Sequence, residues 1–409
     1  MKHQQAVHFL RIAAIIGLLL LSACGNANQP KPVSVDVVRV GVLYPMSGDL
    51  ANTGQDNQNG AVLAADEINA AGGIQSLGGA KLELVFGDTQ GNPDIGAQET
   101  ERLIQQENVV AVIGAYQSSV TKPATQAAER LETPFIVSMA ISDLITERGF
   151  QYTFRVCPKA QFYGRDQVLF VKDLGNLAGH PVQRVALLYE NTDFGTATSL
   201  AQKQAIQENG LEVVAEVSYT AEGATDLSNE VAQALAANPD AILEVTYLND
   251  SILIAQALAA AGATIPLVDA AGGVVYPEYV EQLGATAEGS FTLVEYSKYA
   301  AGGEELNARF HERFGADITG NSAYAYQAVY VLADALERAA SVDKKQLRAA
   351  LAATDMPKGP HMILPAERIH FDADGQNEFA TLFMAQIQDG ELVPVWPAEF
   401  AASKVRLNP

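Results

Sequence analysis

Two serines, Ser118 and Ser119, stand between an apolar run and a helical pattern. Val109 to Ile113, bounded by Gly114, predicts a buried strand of an α/β sheet. Pro123 falls in the first turn of the helix that follows, and Ala124, Ala127, Ala128 and Leu131 continue the helical spacing. A strand that feeds a serine-bearing helix N-terminus makes a small anion site. Unpaired N–H groups and the positive end of the helix dipole face the gap, with a hydroxyl beside them. The expected occupant is the carboxylate of a small ligand. The plainer alternative is that the serines only cap the helix.

Catalytic patterns are missing. The sequence contains no G-x-S-x-G elbow, P-loop, H-E-x-x-H or G-x-G-x-x-G. Two of the six histidines (His3, His8) lie in the N-terminal leader, and His180, His311, His361 and His370 lack metal-ligand spacing. Asp372-x-Asp374-Gly375 shares a fragment of a calcium loop but lacks its third acid and closing glutamate, so a turn between strands accounts for it. The expectation is a binding protein, not an enzyme, with no metal and no cofactor.

The elements that position the serines follow from length and pattern. A chain of 409 residues exceeds one ordinary domain and predicts two lobes. A net charge of −22 with no concentrated basic stretch opposes a nucleic-acid partner. The first 24 residues read as an address: Lys2 and Arg11, a ten-residue apolar run from Ile12 to Leu21 too short to span a bilayer, then Leu21-Ser22-Ala23-Cys24. This ending looks like a bacterial lipobox, with residues 1–23 removed and Cys24 taking the lipid. The polar, proline-bearing residues 24–36 are the tether. Cys157 is then the sole thiol, so no intramolecular disulfide can form.

Strands and helices alternate from Arg39 onward. Strands are expected at Arg39 to Tyr44, Lys81 to Phe86, Val109 to Ile113 and Pro134 to Ser138, with helices at Gly60 to Ala71, Asp94 to Gln106 and after Ser119. After a join at Tyr152 to Pro158 the alternation restarts and runs to a strand at Ile265 to Val268. A second join, Gly289 to Glu295, leads to three helices between Glu304 and Ala353, then a β-like tail. Strict βαβα order predicts doubly wound parallel sheets in an α/β fold. Helices returning after the second lobe predict that the chain crosses back to the first, leaving a cleft at a hinge.

Four groups of residues carry a resemblance: Gly41-Val42-Leu43-Tyr44-Pro45-Met46-Ser47-Gly48; Glu67-Ile68-Asn69-Ala70-Ala71-Gly72-Gly73-Ile74; Val112-Ile113-Gly114 with Ser118-Ser119 and Pro123-Ala124; and Thr146-Glu147-Arg148-Gly149 ahead of Phe154-Arg155. Their order and spacing resemble the type I periplasmic binding proteins, in particular the branched-chain amino-acid (Leu/Ile/Val-binding-like) receptors of ABC importers. The resemblance implies two lobes joined by three crossovers at Val156–Lys159, Val294–Tyr296 and about Glu378–Thr381, with residues 37–157 plus 296–378 in one lobe and 158–295 plus 379–400 in the other. It implies that Ser118 binds the ligand carboxylate and that the Met139-Ala140-Ile141-Ser142 loop grips the substituents on its α-carbon. Phe194 and Tyr247 would close over it, with Thr53 near the side-chain pocket. It further implies a monomeric, lipid-anchored receptor facing the outside of the cell membrane, with a membrane permease as partner.

Two departures bear on the ligand. The loop carries Ile141 and Ser142 where the family usually has a threonine. The second-lobe acid that usually meets the ligand ammonium group falls at about Ala271 or Gly272, and the nearest acid is Asp269. A buried ammonium group without a carboxylate is costly. Either Asp269 serves through a shifted loop, or the ligand has no ammonium group. Tyr116, Phe162, Tyr163, Phe194, Tyr247 and Tyr276 form an aromatic set, which keeps an aromatic or aliphatic carboxylate open as the ligand, and a sensor feeding a signalling partner open as the role.

Overall fold

A computed structural model describes residues 35–300 and 302–407. Cys24, the leader and most of the tether lie outside the described residues. No described helix is long and apolar enough to cross a membrane.

Apolar runs in the first part of the chain form a five-stranded parallel sheet. Its strands are β1 (Val37–Tyr44), β2 (Lys81–Asp88), β3 (Ala111–Gly114), β4 (Phe135–Val137) and β5 (Thr153–Arg155), in the order β2-β1-β3-β4-β5. β3 and β4 are buried at every position, as strands covered on both faces must be. Helices α1 (Ala51–Ala70), α2 (Pro93–Gln105) and α3 (Ser118–Arg130) provide the crossovers. Asn92 caps α2 by accepting from the N–H groups of Asp94 and Ile95.

The second sheet has seven strands. β6 (Arg184–Glu190), β7 (Glu212–Tyr219), β8 (Ala241–Val245), β9 (Leu267–Asp269) and β10 (Phe291–Val294) are parallel. After α9 (Gly303–Phe314), α10 (Gly320–Ala339), α11 (Lys344–Ala352) and the small pair β11 (Asp355–Pro357) and β12 (Arg368–His370), two antiparallel strands complete the sheet. These are β13 (Phe383–Gln388) and β14 (Glu391–Trp396), and the order is β14-β13-β10-β9-β8-β6-β7. Helices α4 (Ala160–Ala178), α5 (Asp193–Glu208), α6 (Ser228–Ala236), α7 (Leu248–Ala260) and α8 (Pro277–Leu283) cover its faces.

Three elements differ from the sequence expectation. The segment expected only as a join contains β5. The parallel second sheet gains an antiparallel edge. Helix α1 begins nine residues before Gly60, at Ala51, through a polar stretch with two glycines. Packing explains this last difference. A Cβ on Gly60 would stand 2.0 Å from the Ser322 carbonyl oxygen, and one on Gly54 would stand 1.9 Å from that of Pro45. The glycines let α1 press against α10 and the end of β1, which offsets their poor helix propensity.

The chain passes between the sheets after β5, after β10 and between β12 and β13. The first and third passages are knotted together by Arg155, which is fully buried. Its guanidinium donates to the carbonyls of Ala140 (3.1 Å) and Ser142 (2.7 Å), to Thr146 Oγ1 (3.0 Å) and to Gln376 Oε1. Asn377 and Gln376 return hydrogen bonds to the carbonyls of Val156 and Cys157. Arg155→Met would leave several buried acceptors without a donor. The expected loss is about 3 kcal/mol or more of unfolding free energy, read from urea denaturation. A loss under about 1 kcal/mol would show that this knot is not structural.

Candidate functional site

In an open parallel sheet the binding crevice forms at the carboxyl ends of the strands, where strand order reverses. In the first sheet the reversal lies between β1 and β3, and β3 leads into α3. Gln117 is the N-cap residue and Ser118 is the first helical residue, with no side chain capping the end. The helix therefore starts one residue earlier than a serine cap would require. Ser118 Oγ instead accepts from the Ser142 N–H at 3.2 Å, which leaves its proton free to donate. Among the described residues nothing accepts from the N–H groups of Ser118 or Ser119, as expected for the first turn of a helix.

Tyr116 is turned inward by a left-handed backbone, φ 80°. The loop after β4 brings Met139, Ala140 and Ile141 alongside. From the second sheet come Phe194 at the start of α5, Tyr247 at the N-cap of α7, Ala270 to Gly272 after β9, and Glu295 directly after β10. Tyr163 of α4 and Asn321 of α10 complete a small cavity between the two sheets.

The lobes are closed on this cavity. Tyr247 lies 5.3 Å from Phe194 and 6.0 Å from Tyr116, ring centroid to ring centroid, in tilted arrangements. At the rim Lys122 and Asp193 form an ion pair of 3.1 Å across the lobes. Asn321 Nδ2 donates to the Tyr276 hydroxyl at 2.5 Å.

The family described as Periplasmic binding protein matches residues 37–391. The chain belongs to the periplasmic binding protein family. A relative named Leu/Ile/Val-binding protein homolog 7, from Brucella melitensis biotype 1, is 30% identical over 402 residues, covering 95% of this chain and 98% of the relative. The crystal structure of the leucine binding protein LivK from Thermotoga maritima superposes with a TM-score of 0.79 at 25% identity, covering 88% of this chain and 98% of that one. LivJ from Streptococcus pneumoniae, described as a branched-chain amino acid transporter substrate binding protein in complex with isoleucine, gives 0.76 at 26% identity over 87% and 97%. The family and these neighbours are solute-binding proteins. The shared architecture is the type I fold, two α/β lobes with parallel sheets and a cleft between.

Within this family frame, nine of the twelve residues expected at the site line the cavity: Tyr116, Ser118, Met139, Ala140, Ile141, Tyr163, Phe194, Tyr247 and Gly272. Three do not. Ser119 is one step further round α3. Thr53 is buried behind the cavity, against the Tyr276 hydroxyl. Ser142 presents its N–H to Ser118 and its carbonyl to Arg155, so its place is behind the wall. Of the other aromatics, Phe162 stacks under Arg165 instead, and Tyr276 meets Asn321.

Asp269 does not reach the cavity as the shifted-loop expectation required. Asp269 is fully buried, but its oxygens accept from Thr246, Thr292 and the N–H groups of Gly272, Gly273 and Val274, and it does not line the cavity. Gly272 cannot carry an acid, because a Cβ there would stand 1.7 Å from the Thr246 carbonyl oxygen. The carboxyl group that does face the cavity is Glu295, which accepts from the Tyr163 hydroxyl. Glu295 and Asn321 are the lining residues that sequence reasoning missed. For Glu295 the signal was present: an acid at the end of the apolar run Phe291 to Val294, where this fold places its binding residues.

Burial pushes Glu295 from its ordinary 4.5 up to about 8, against the pull of the Tyr163 hydrogen bond. The folded state then holds the proton more tightly than the unfolded chain. The stability this contributes is whole below about pH 4.5 and is lost as pH rises through about 8. Glu295→Gln keeps the shape and removes the ionisation. The melting temperature of the variant, followed by circular dichroism without ligand, is expected to gain on that of the parent from about pH 5 to about pH 8. A constant difference would contradict this assignment.

Proposed function

We propose that this chain is the extracytoplasmic solute receptor of an ABC importer and closes its lobes on a small carboxylate, a branched-chain or related amino acid. The observation that carries this reading is the uncapped N-terminus of α3 with Ser118, facing a cavity between the lobes. The ligand carboxylate would take the free N–H groups of the first turn and the Ser118 hydroxyl. Phe194 and Tyr247 then cover it from the second lobe. Closure is a population shift driven by contacts made only when the lobes meet, and the closed form docks on the permease. The names of the relatives support the ligand class. Cys24 and the leader support export and a lipid anchor at the membrane surface. The aromatic walls favour a second reading, an aromatic carboxylate that lacks an ammonium group.

Ser118→Ala tests the carboxylate anchor. A hydrogen bond to a charged group is worth about 1.5–3 kcal/mol, so affinity for L-leucine, L-isoleucine or L-valine should fall about tenfold to a hundredfold by calorimetry, with the melting curve preserved. Unchanged affinity in the folded variant would sink the assignment.

A further inference from the structure

The cavity holds two hydrogen-bond acceptors for which the protein supplies too few donors. Glu295 is 1% exposed, and no cation faces it among the described residues. The groups around it are Tyr163 from α4, Tyr324 from α10, Cys157 from the first crossover, Tyr116 from the loop after β3, and Asp269 at the end of β9. Only Tyr163 donates to it. Asn321, reached from the first lobe through α10, is equally buried. Its Nδ2 is committed to Tyr276, and its Oδ1 is buried without a partner. A buried carboxyl group with a single donor and a buried amide oxygen with none are costly. An ammonium group offers three donors and a compensating charge. A plain carboxylate ligand would instead bring no donor for the Asn321 oxygen and no positive charge to offset an ionised Glu295.

We propose that Glu295 and Asn321 are the seat of a ligand ammonium group, so that the ligand is an amino acid held by its carboxylate at Ser118 and by its nitrogen at the second crossover. This rests on the carboxylate site at α3. It places the acid on the end of β10, at the hinge, and not in the loop after β9 where Gly272 leaves no room. The two acceptors come from opposite lobes, so the seat is complete only when the lobes close. The nitrogen end therefore contributes to closure as well as to selectivity. Burial keeps Glu295 protonated near neutral pH before a ligand binds. An arriving ammonium ion would ionise it, with the displaced proton released to solvent. Affinity should then tighten as pH rises from about 6 to about 8, approaching tenfold per pH unit.

The test uses the full chain with matched probes: L-leucine, L-isoleucine, L-valine and the other common L-amino acids, each beside its des-amino acid, with benzoate added. In a thermal-shift screen at least one amino acid is expected to raise the melting temperature, and its des-amino partner to raise it far less. Calorimetry with that amino acid, in buffers of different ionisation enthalpy, should show proton release. Glu295→Gln should lose roughly a hundredfold in affinity, together with the proton release and the pH slope. Asn321→Ala should lose about tenfold, and Asn321→Asp should keep most of the affinity. The ligand-free melting curves of these variants show whether they fold. The proposal is overturned if no amino acid shifts the melting temperature, if the des-amino acids or benzoate bind as well as the amino acids, or if folded Glu295→Gln binds like the parent. If Ser118→Ala binds normally while Glu295→Gln does not, the ammonium seat stands and the carboxylate site at α3 falls.

Discussion

A guanidinium group buried without a carboxylate partner constrains this molecule more than any other single group. Arg155 satisfies its donors with the carbonyls of Ala140 and Ser142, the Thr146 hydroxyl and the Gln376 amide oxygen. Those acceptors belong to the segment that forms one wall of the cavity and to the third passage between the lobes, while Arg155 itself opens the first. The wall loop therefore cannot shift without disturbing the hinge. The same contacts have an electrostatic consequence. Donation to the Ala140 carbonyl polarises the peptide whose other end is the Ile141 N–H, and Ile141 lines the cavity. A buried positive charge one peptide away favours an anion at this end of the cavity, alongside the dipole of α3.

Closure itself is held by few contacts. The Lys122–Asp193 pair is about one-third exposed on each side and is worth under about 1 kcal/mol. The tilted aromatic contacts among Tyr116, Tyr247 and Phe194 contribute about 0.5–1.5 kcal/mol per pair beyond the area they bury. Against these stand the buried acceptors Glu295, with Tyr163 as its one donor, and Asn321 Oδ1, with none, whose desolvation opposes closure. The balance lets a small ligand decide the state of the hinge, because the missing interactions are those it supplies.

Much of this was legible in the sequence because the fold repeats a local rule. Apolar runs such as Val112-Ile113-Gly114 end at the crevice, so residues just after them, Ser118 and the Met139–Ile141 loop, are placed by pattern alone. Phe194 and Tyr247 obey the same rule in the second lobe. What stayed hidden depended on tertiary approach. The first turns of α1, ahead of the helix expected from Gly60, carry Gly54 as well as Gly60, and only the nearness of Pro45 and Ser322 gives these glycines a use. Ser142 and Thr53 have suitable chemistry, but neighbours already occupy their polar groups. Asn321 lies in the returning helix, far along the chain from every other lining residue of the first lobe, and no local signal marks it.

The second-lobe acid missing at about Ala271 or Gly272 has a geometric explanation. The loop after β9 is drawn tightly over Asp269, whose carboxyl group gathers three successive backbone N–H groups and two threonine hydroxyls. That loop then lies against the Thr246 carbonyl, and only glycine fits at position 272. An acid that organises the backbone cannot also reach the ligand, and the loop it organises has no space for another. The next strand end in the sheet is that of β10, and its following residue is Glu295. Side chains that leave neighbouring strand ends of a parallel sheet point toward the same crevice. A carboxyl group can therefore move from one strand end to the next and still face the same small cavity, while its attachment changes from a loop of the second lobe to the hinge.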